Sequence, residues 1–424
     1  MRKEKNRWLI AASAVGIHLS IGSVYTWSVY TKPLITEIGW GLKETQFTFS
    51  IAVFILGISA AFLGHFLEKK GPRRAGILAA IFFGIGIIGS GVAVLFKSIY
   101  LLYLFYGLFG GIGLGLGYIA PISTLIKWFP DRPGLATGLA VMGFGFAALL
   151  SSPLIVYLIS TVGIATTFFI MGSIYFTVML LSSLYLAPPP ATISEPEESK
   201  KDYDLQSESF DLTAKQAIKT KRFWYLWFMF FINISCGIAI ISVASPMAQE
   251  YAGFTVVAAA TMVGIMGLFN GGGRIGWASL SDRIGRPATF TAFFLIQILA
   301  FLLLPTTGNA IIFQVLIFLI ISCYGGGFAT MPAFVKDLFG TKELGVIFGY
   351  VLTAWAAAGM AGPLFAAWSR NMTQSYDGTL YFFAGLLFVA LLLSALIRRE
   401  LHKLKPHRVH KPAETSTVRE MESV

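Results

Sequence analysis

Apolar stretches of about twenty residues follow one another along most of the chain, from Trp8 to Leu396, with short polar connections between them. At about 1.5 Å of rise per residue, a helix of that length crosses the hydrocarbon of a bilayer. The pattern predicts twelve spans, near residues 8–30, 46–67, 75–95, 100–126, 135–158, 164–187, 223–246, 255–280, 287–306, 309–334, 344–368 and 378–397. Between the sixth and seventh lies the longest polar stretch. It opens Pro188-Pro189-Pro190 and continues as a mixed-charge run to Arg222, with a short helix expected near Ser209–Lys219. Low apolar content makes it a solvated linker.

The two sides of that linker resemble each other. Glu68-Lys69-Lys70-Gly71-Pro72-Arg73-Arg74 follows the second span, and Asp282-Arg283-Ile284-Gly285-Arg286 follows the eighth. Gly134, Gly138 and Pro153 on the fifth span recur as Gly345, Gly349 and Pro363 on the eleventh, at nearly the same offset. Chance similarity would not keep register, so a duplicated six-helix unit is expected. Such repeats place a substrate near the midplane, where the halves meet. The expected units are an N-terminal six-helix bundle (1–187), a linker (188–222), a C-terminal six-helix bundle (223–398) and a tail (399–424).

Composition removes the soluble alternatives. The chain is 56% hydrophobic and only 12% charged, about half the charge that a water-facing surface carries. A net charge of +11 raises the question of nucleic acid, but the cations sit in alternate connections. Lys69, Lys70, Arg73, Arg74, Lys127, Arg132, Arg283, Arg286, Lys336 and Lys342 share one side with both termini and the linker, while the other side holds Lys32, Lys43, Lys97 and Arg370. This is the positive-inside pattern. It predicts a multi-pass protein of the plasma or inner membrane with both termini cytoplasmic, and leaves no folded basic domain for nucleic acid. Cys236 and Cys323 lie in apolar segments and read as packing residues. No metal-ligand cluster, phosphate-binding loop or nucleophile–base–acid set is present, so neither an enzyme nor a cofactor is expected.

One cation falls inside a span: Arg274. An intramembrane charge faces a wet cavity or a partner, and the spans offer no clear carboxylate. A fixed cation without a fixed anion suggests that the anion is the substrate, since a guanidinium fork matches a carboxylate with two hydrogen bonds. The alternative is that Arg274 reaches toward the helix end and pairs with Asp282. Asn270, four residues earlier, shares the Arg274 face of the helix. It either orients a carboxylate or binds a neighbouring helix. His18 on the first span reads as a packing residue that could also titrate.

Several segments carry a family resemblance. The acidic-basic-Gly-basic connections after spans two and eight look like the signature loop of the major facilitator superfamily. Tyr25-Thr26-Trp27-Ser28-Val29-Tyr30, Lys127-Trp128-Phe129-Pro130-Asp131-Arg132 and Phe269-Asn270-Gly271-Gly272-Gly273-Arg274 resemble its oxalate/formate antiporter and monocarboxylate transporter branch. The resemblance covers the chain apart from linker and tail. It implies the major facilitator fold, an all-α membrane protein of twelve transmembrane helices in two pseudo-symmetric bundles, working as a monomer. It also implies conformational gating by Gly64, Glu68, Arg73, Asp282, Arg283 and Arg286. Tyr25, Tyr118, Tyr324, Phe328 and Trp355 fall where the family lines its cavity, although in a chain 15% aromatic any one of them could instead face lipid or the core. Lys32 matches a functional lysine of monocarboxylate transporters at the outer end of the first helix, or is a solvated loop lysine. Oxalate carriers similar to this chain have a Lys where Trp355 stands. One cation fewer weakens the match to a dianion. The resulting expectation is a secondary transporter of small monocarboxylates such as lactate, pyruvate or formate, coupled to a proton. Exchange for a counter-anion, or a carboxylate sensor without flux, are the alternatives.

Overall fold

In a computed structural model of the protein, residues 5–63, 67, 69–129, 133–190, 212–340 and 343–404 are described, without the side chains of 126, 133–142 and 402–404. These residues are almost wholly helical. We label the long helices α1 (Arg7–Ile38), α2 (Leu42–Phe62), α3 (Pro72–Leu95), α4 (Ile99–Leu125), α5 (133–162), α6 (164–185), α7 (Lys221–Tyr251), α8 (Val256–Ile284), α9 (Arg286–Thr306), α10 (Ala310–Phe339), α11 (Leu344–Thr373) and α12 (Asp377–Leu404). All twelve elements expected from the apolar pattern are found.

The fifth and sixth spans run as one helical stretch from Pro133 to Tyr185, broken only at Gly163. There φ is 80°, a conformation costly for a residue with a Cβ. The far ends of α5 and α6 are therefore joined by a single glycine rather than a loop. The expected helix near Ser209–Lys219 is a single turn, Ala214–Ala217, with a Thr213–Gln216 capping box. Its 209–211 part lies outside the described residues. Asn6, Thr220, Thr255 and Asn309 cap the starts of α1, α7, α8 and α10 with side-chain oxygens, as the unpaired first-turn N–H groups require.

Large apolar side chains such as Leu95, Tyr157, Leu181, Leu299, Ile311 and Leu392 point outward. On a soluble protein this belt would be an aggregation surface; around a membrane protein it meets lipid. Polar side chains turn inward: His18, Gln46, Asn233, Asn270, Arg274 and Gln297 are all buried.

The two groups of six helices meet along α2 against α11 and α5 against α8. At the second seam, a Cβ on Gly145 would come within 2.6 Å of the Gly267 carbonyl oxygen. The two backbones touch there because neither residue has a side chain. At the end away from the basic connections, Gln46 of α2 donates to the Ser242 carbonyl of α7 at 3.1 Å and to Thr31 of α1 at 3.3 Å. Lys32 of α1 donates to Gln249 of α7 at 2.8 Å. These bonds tie the groups together above the centre. At the basic end, Arg286 binds Asp282 at 2.6 Å and Ser281 at 2.7 Å, and approaches Asp337 of α10 at 3.7 Å. The connection after α8 is thereby fastened to α10.

Candidate functional site

The site forms where α1, α4, α5, α8, α10 and α11 converge. In α1, the Ser23 hydroxyl donates to the Ser20 carbonyl and the Thr26 hydroxyl to the Ser23 carbonyl, both at 2.7 Å. Such back-bonds compete with the α-helical ladder, and Gly22–Thr26 winds as a tighter 3-10 turn. Tyr25 lies on this turn. Its hydroxyl meets that of Tyr324 on α10 at 2.9 Å, a hydrogen bond across the two groups of helices.

Arg274 lies on α8 beside this pair and is only 5% exposed. Its Nε donates to Asn270 Oδ1 at 3.3 Å, and its guanidinium sits 5.1 Å from the centre of the Phe328 ring. Among the described residues no carboxylate pairs with it; Asp282 is engaged by Arg286. Among the described residues, no acceptor takes a hydrogen bond from the two terminal nitrogens of the fork. Asn270 is fixed by close packing. A Cβ on Gly325 of α10 would stand 2.7 Å from Asn270 Oδ1, so only glycine there leaves room for the amide.

Aromatic rings make the walls. Phe328 packs edge-on against Trp355 at 4.8 Å and Tyr324 at 5.3 Å between centroids. Trp355 of α11 reaches Tyr118 of α4 at 5.4 Å, and Tyr118 and Tyr25 both abut Phe144 of α5. Edge-to-face contacts of this kind hold rings in fixed orientations. Trp355 is 2% exposed and its indole N–H has no acceptor among the described residues. A buried donor without a partner costs about 1–3 kcal/mol, which is a reason to read it as a binding group. Two unspent donor sets, the Arg274 fork and the Trp355 N–H, thus flank the same ring, Phe328.

Seven of the expected site residues, Arg274, Asn270, Tyr25, Tyr118, Tyr324, Phe328 and Trp355, come together here. Lys32 does not. It lies seven residues beyond Tyr25, about 10 Å along the helix, and is committed to Gln249. Among the expected gating residues, Arg73 is exposed at the start of α3, Arg283 is exposed at the end of α8, and Asp282 pairs with Arg286. Gly64 and Glu68 lie outside the described residues.

Sequence reasoning passed over Phe144, Gln46 and Gln249. A glutamine inside an apolar span, as Gln46 is, was the available signal for the second. It also left His18 out of the site, yet the structure puts this ring on its edge. His18 stacks on Tyr118 at 5.9 Å, and its Nε2 lies 3.2 Å from the Tyr118 carbonyl. A carbonyl only accepts, so Nε2 carries a hydrogen. Among the described residues no group of three or more His, Cys, Asp or Glu side chains could hold a metal, and Cys236 and Cys323 are separate, buried and free.

Membrane-length helices in two groups of six, meeting around a buried polar centre, define a multi-pass membrane protein, and the family it belongs to makes it a transporter rather than an enzyme. The chain belongs to the Major Facilitator Superfamily, whose sequence model matches residues 12–363 and 277–423. It is 29% identical to the oxalate:formate antiporter of Oxalobacter formigenes, over 86% of each chain. It is 22% identical to apicoplast pyruvate carrier 1 of Toxoplasma gondii, over 88% of this chain and 85% of that one. Among solved structures it resembles a bacterial homologue of the human lysosomal transporter Spinster in an inward-facing, occupied state, with a TM-score of 0.72 over 96% of this chain and 98% of that one. At 15% identity that likeness concerns the fold alone, and it is the fold that the sequence resemblance implied.

Proposed function

We propose that the protein carries small monocarboxylates across the membrane by alternating access, with a co-transported proton. The observation that carries this reading is Arg274: a guanidinium 5% exposed, held by one amide and one ring, with its fork unmatched by any described acid. A carboxylate supplies the two acceptors in the geometry the fork presents. Its organic body would then lie among Phe328, Trp355 and Tyr118, and the Trp355 N–H supplies one further bond to a substrate oxygen. Tyr25 and Tyr324 join the two groups of helices beside the anchor, so a substrate oxygen inserted between them would weaken one bridge and create another. The naming of relatives as an oxalate:formate antiporter and a pyruvate carrier supports a carboxylate as cargo.

Selectivity follows from charge count. Around the anchor one cation is buried, and an indole stands where a second cation would complete a dianion site. In a low-dielectric site an unneutralised second negative charge costs several kcal/mol. We therefore place monoanions ahead of oxalate. Exchange of one anion for another is the second reading, favoured by the antiporter relative.

The N-terminal (1–187) and C-terminal (223–398) bundles are proposed as the moving bodies. The linker and both termini are placed in the cytoplasm of a plasma or inner membrane, because basic connections stay on that side. Competition against labelled lactate uptake into proteoliposomes tests the substrate class. Pyruvate and formate should compete, oxalate should compete poorly, and neutral amides of the same acids should not compete. Strong competition by the amides would remove the anion reading.

A further inference from the structure

The lipid face of α8 carries a groove of about 550 Å³ that takes no part in the central site. Phe269, Gly272, Gly276, Trp277 and Leu280 of α8 line it with Ser322 of α10, and the lining is almost wholly apolar. Phe269, Gly272, Gly276, Leu280 and Arg283 follow at three- and four-residue steps, so they form one stripe of the helix. Gly272 and Gly276 face open space. From Phe269 to Leu280 the stripe is about 16 Å long. That is roughly half of a ~30 Å hydrocarbon core, the depth of one leaflet. One turn beyond Leu280 stands Arg283, exposed, in the last turn of α8. Its neighbour Arg286 is spent on Ser281, Asp282 and Asp337; Arg283 makes no ion pair or hydrogen bond with a described side chain. We propose that this face binds one anionic phospholipid, its acyl chain in the groove and its phosphate on Arg283. A slot one leaflet deep with a free cation at its mouth matches that molecule in length and in charge. The Arg274 side chain leaves α8 on the opposite face, two residues after Gly272, so the acyl chain would lie one helix thickness from the substrate anchor.

Trp277 lets the proposal be read by fluorescence. Wild-type protein in phosphatidylcholine vesicles is titrated with phosphatidylglycerol or phosphatidylcholine brominated in the acyl chain. Quenching should favour the anionic lipid about five-fold, the equivalent of the ~1 kcal/mol that one basic residue contributes near a charged surface. Trp277→Phe should remove the excess, Arg283→Gln should abolish the preference, and Lys221→Gln, another exposed cation at the same end, should keep it. Gly276→Leu, which fills the slot, should weaken quenching by both lipids. Equal quenching of the wild type by the two lipids, or a preference that survives Arg283→Gln, overturns the proposal. So does an excess that persists in Trp277→Phe. Disulfide cross-linking of Gly276→Cys copies to each other in vesicles would mean that a second copy occupies the groove, and overturns it too.

Discussion

Arg274 and Lys share a charge but not a shape. Arg274→Lys retains the cation, yet it loses the paired donors that meet a carboxylate and the planar face that sits over Phe328. A charge-assisted hydrogen bond contributes about 1.5–3 kcal/mol, so kcat/KM for uptake should fall about 10- to 100-fold while the protein still reaches the membrane. Proteoliposome kinetics check this, and Arg274→Ala should leave no saturable uptake. Trp355→Lys tests selectivity. It restores a second cation at the ring next to Phe328 and should shift competition toward oxalate, away from lactate, as measured by the ratio of their inhibition constants. Arg274 was legible in the sequence because one cation within a span is conspicuous. Asn270 followed from the helical period. The Tyr25–Tyr324 hydrogen bond was not legible: it joins residues of equal polarity to dozens of others, 299 positions apart. The unpartnered Trp355 N–H was hidden for the same reason, since sequence shows a donor but not what surrounds it.

Two helix pairs, α2 with α11 and α5 with α8, form the seams along which the groups of helices touch. Contact between backbones at Gly145 and Gly267 leaves no room for a side chain. Gly145→Leu should therefore separate α5 from α8, lowering transport by an order of magnitude or more with little loss of folded protein. Uptake and thermal unfolding measured on the same preparation distinguish the two effects. A subtler change lies on α10. Gly325→Ala puts a methyl group against the Asn270 backbone carbonyl and its Oδ1, so it should push α10 off α8 and raise KM by displacing the amide that steadies Arg274. Hydropathy located each helix because about twenty apolar residues in a row have few other solutions. It could not find the continuity of α5 and α6 through Gly163, since a single left-handed glycine leaves no polar loop to mark the turn. Nor could it find the 3-10 turn at Gly22–Thr26, which depends on two hydroxyls turning back onto their own backbone.

Across the whole molecule, the proposed orientation and coupling both rest on charge. Lys97→Cys, at the end away from the basic connections, should react with an impermeant thiol reagent from outside intact cells. Lys219→Cys, beside the short helix before α7, should react only after permeabilisation. The buried Cys236 and Cys323 make the background quiet. Labelling of Lys219→Cys from outside would invert the topology. Coupling is the larger question. A carboxylic acid with a pKa near 4 is ionised at neutral pH, and carrying its charge inward against an inside-negative potential costs about 2.3 kcal/mol per 100 mV. A proton moving with the anion cancels that charge. No described carboxylate pairs with Arg274, so the substrate carboxylate on Arg274 is itself the group expected to gain and lose the proton as the site changes sides. His18, whose ring stacks on Tyr118 at the edge of the site, is a second place where a proton could be held. The most direct test measures labelled lactate uptake into proteoliposomes containing no internal anion substrate, with the outside acidified, for the wild type and for Arg274→Lys. Uptake that rises with the imposed pH gradient, collapses with a protonophore and falls about 10- to 100-fold in Arg274→Lys is the predicted result. Uptake that ignores the gradient, requires preloaded anion or persists unchanged in Arg274→Lys would contradict the account.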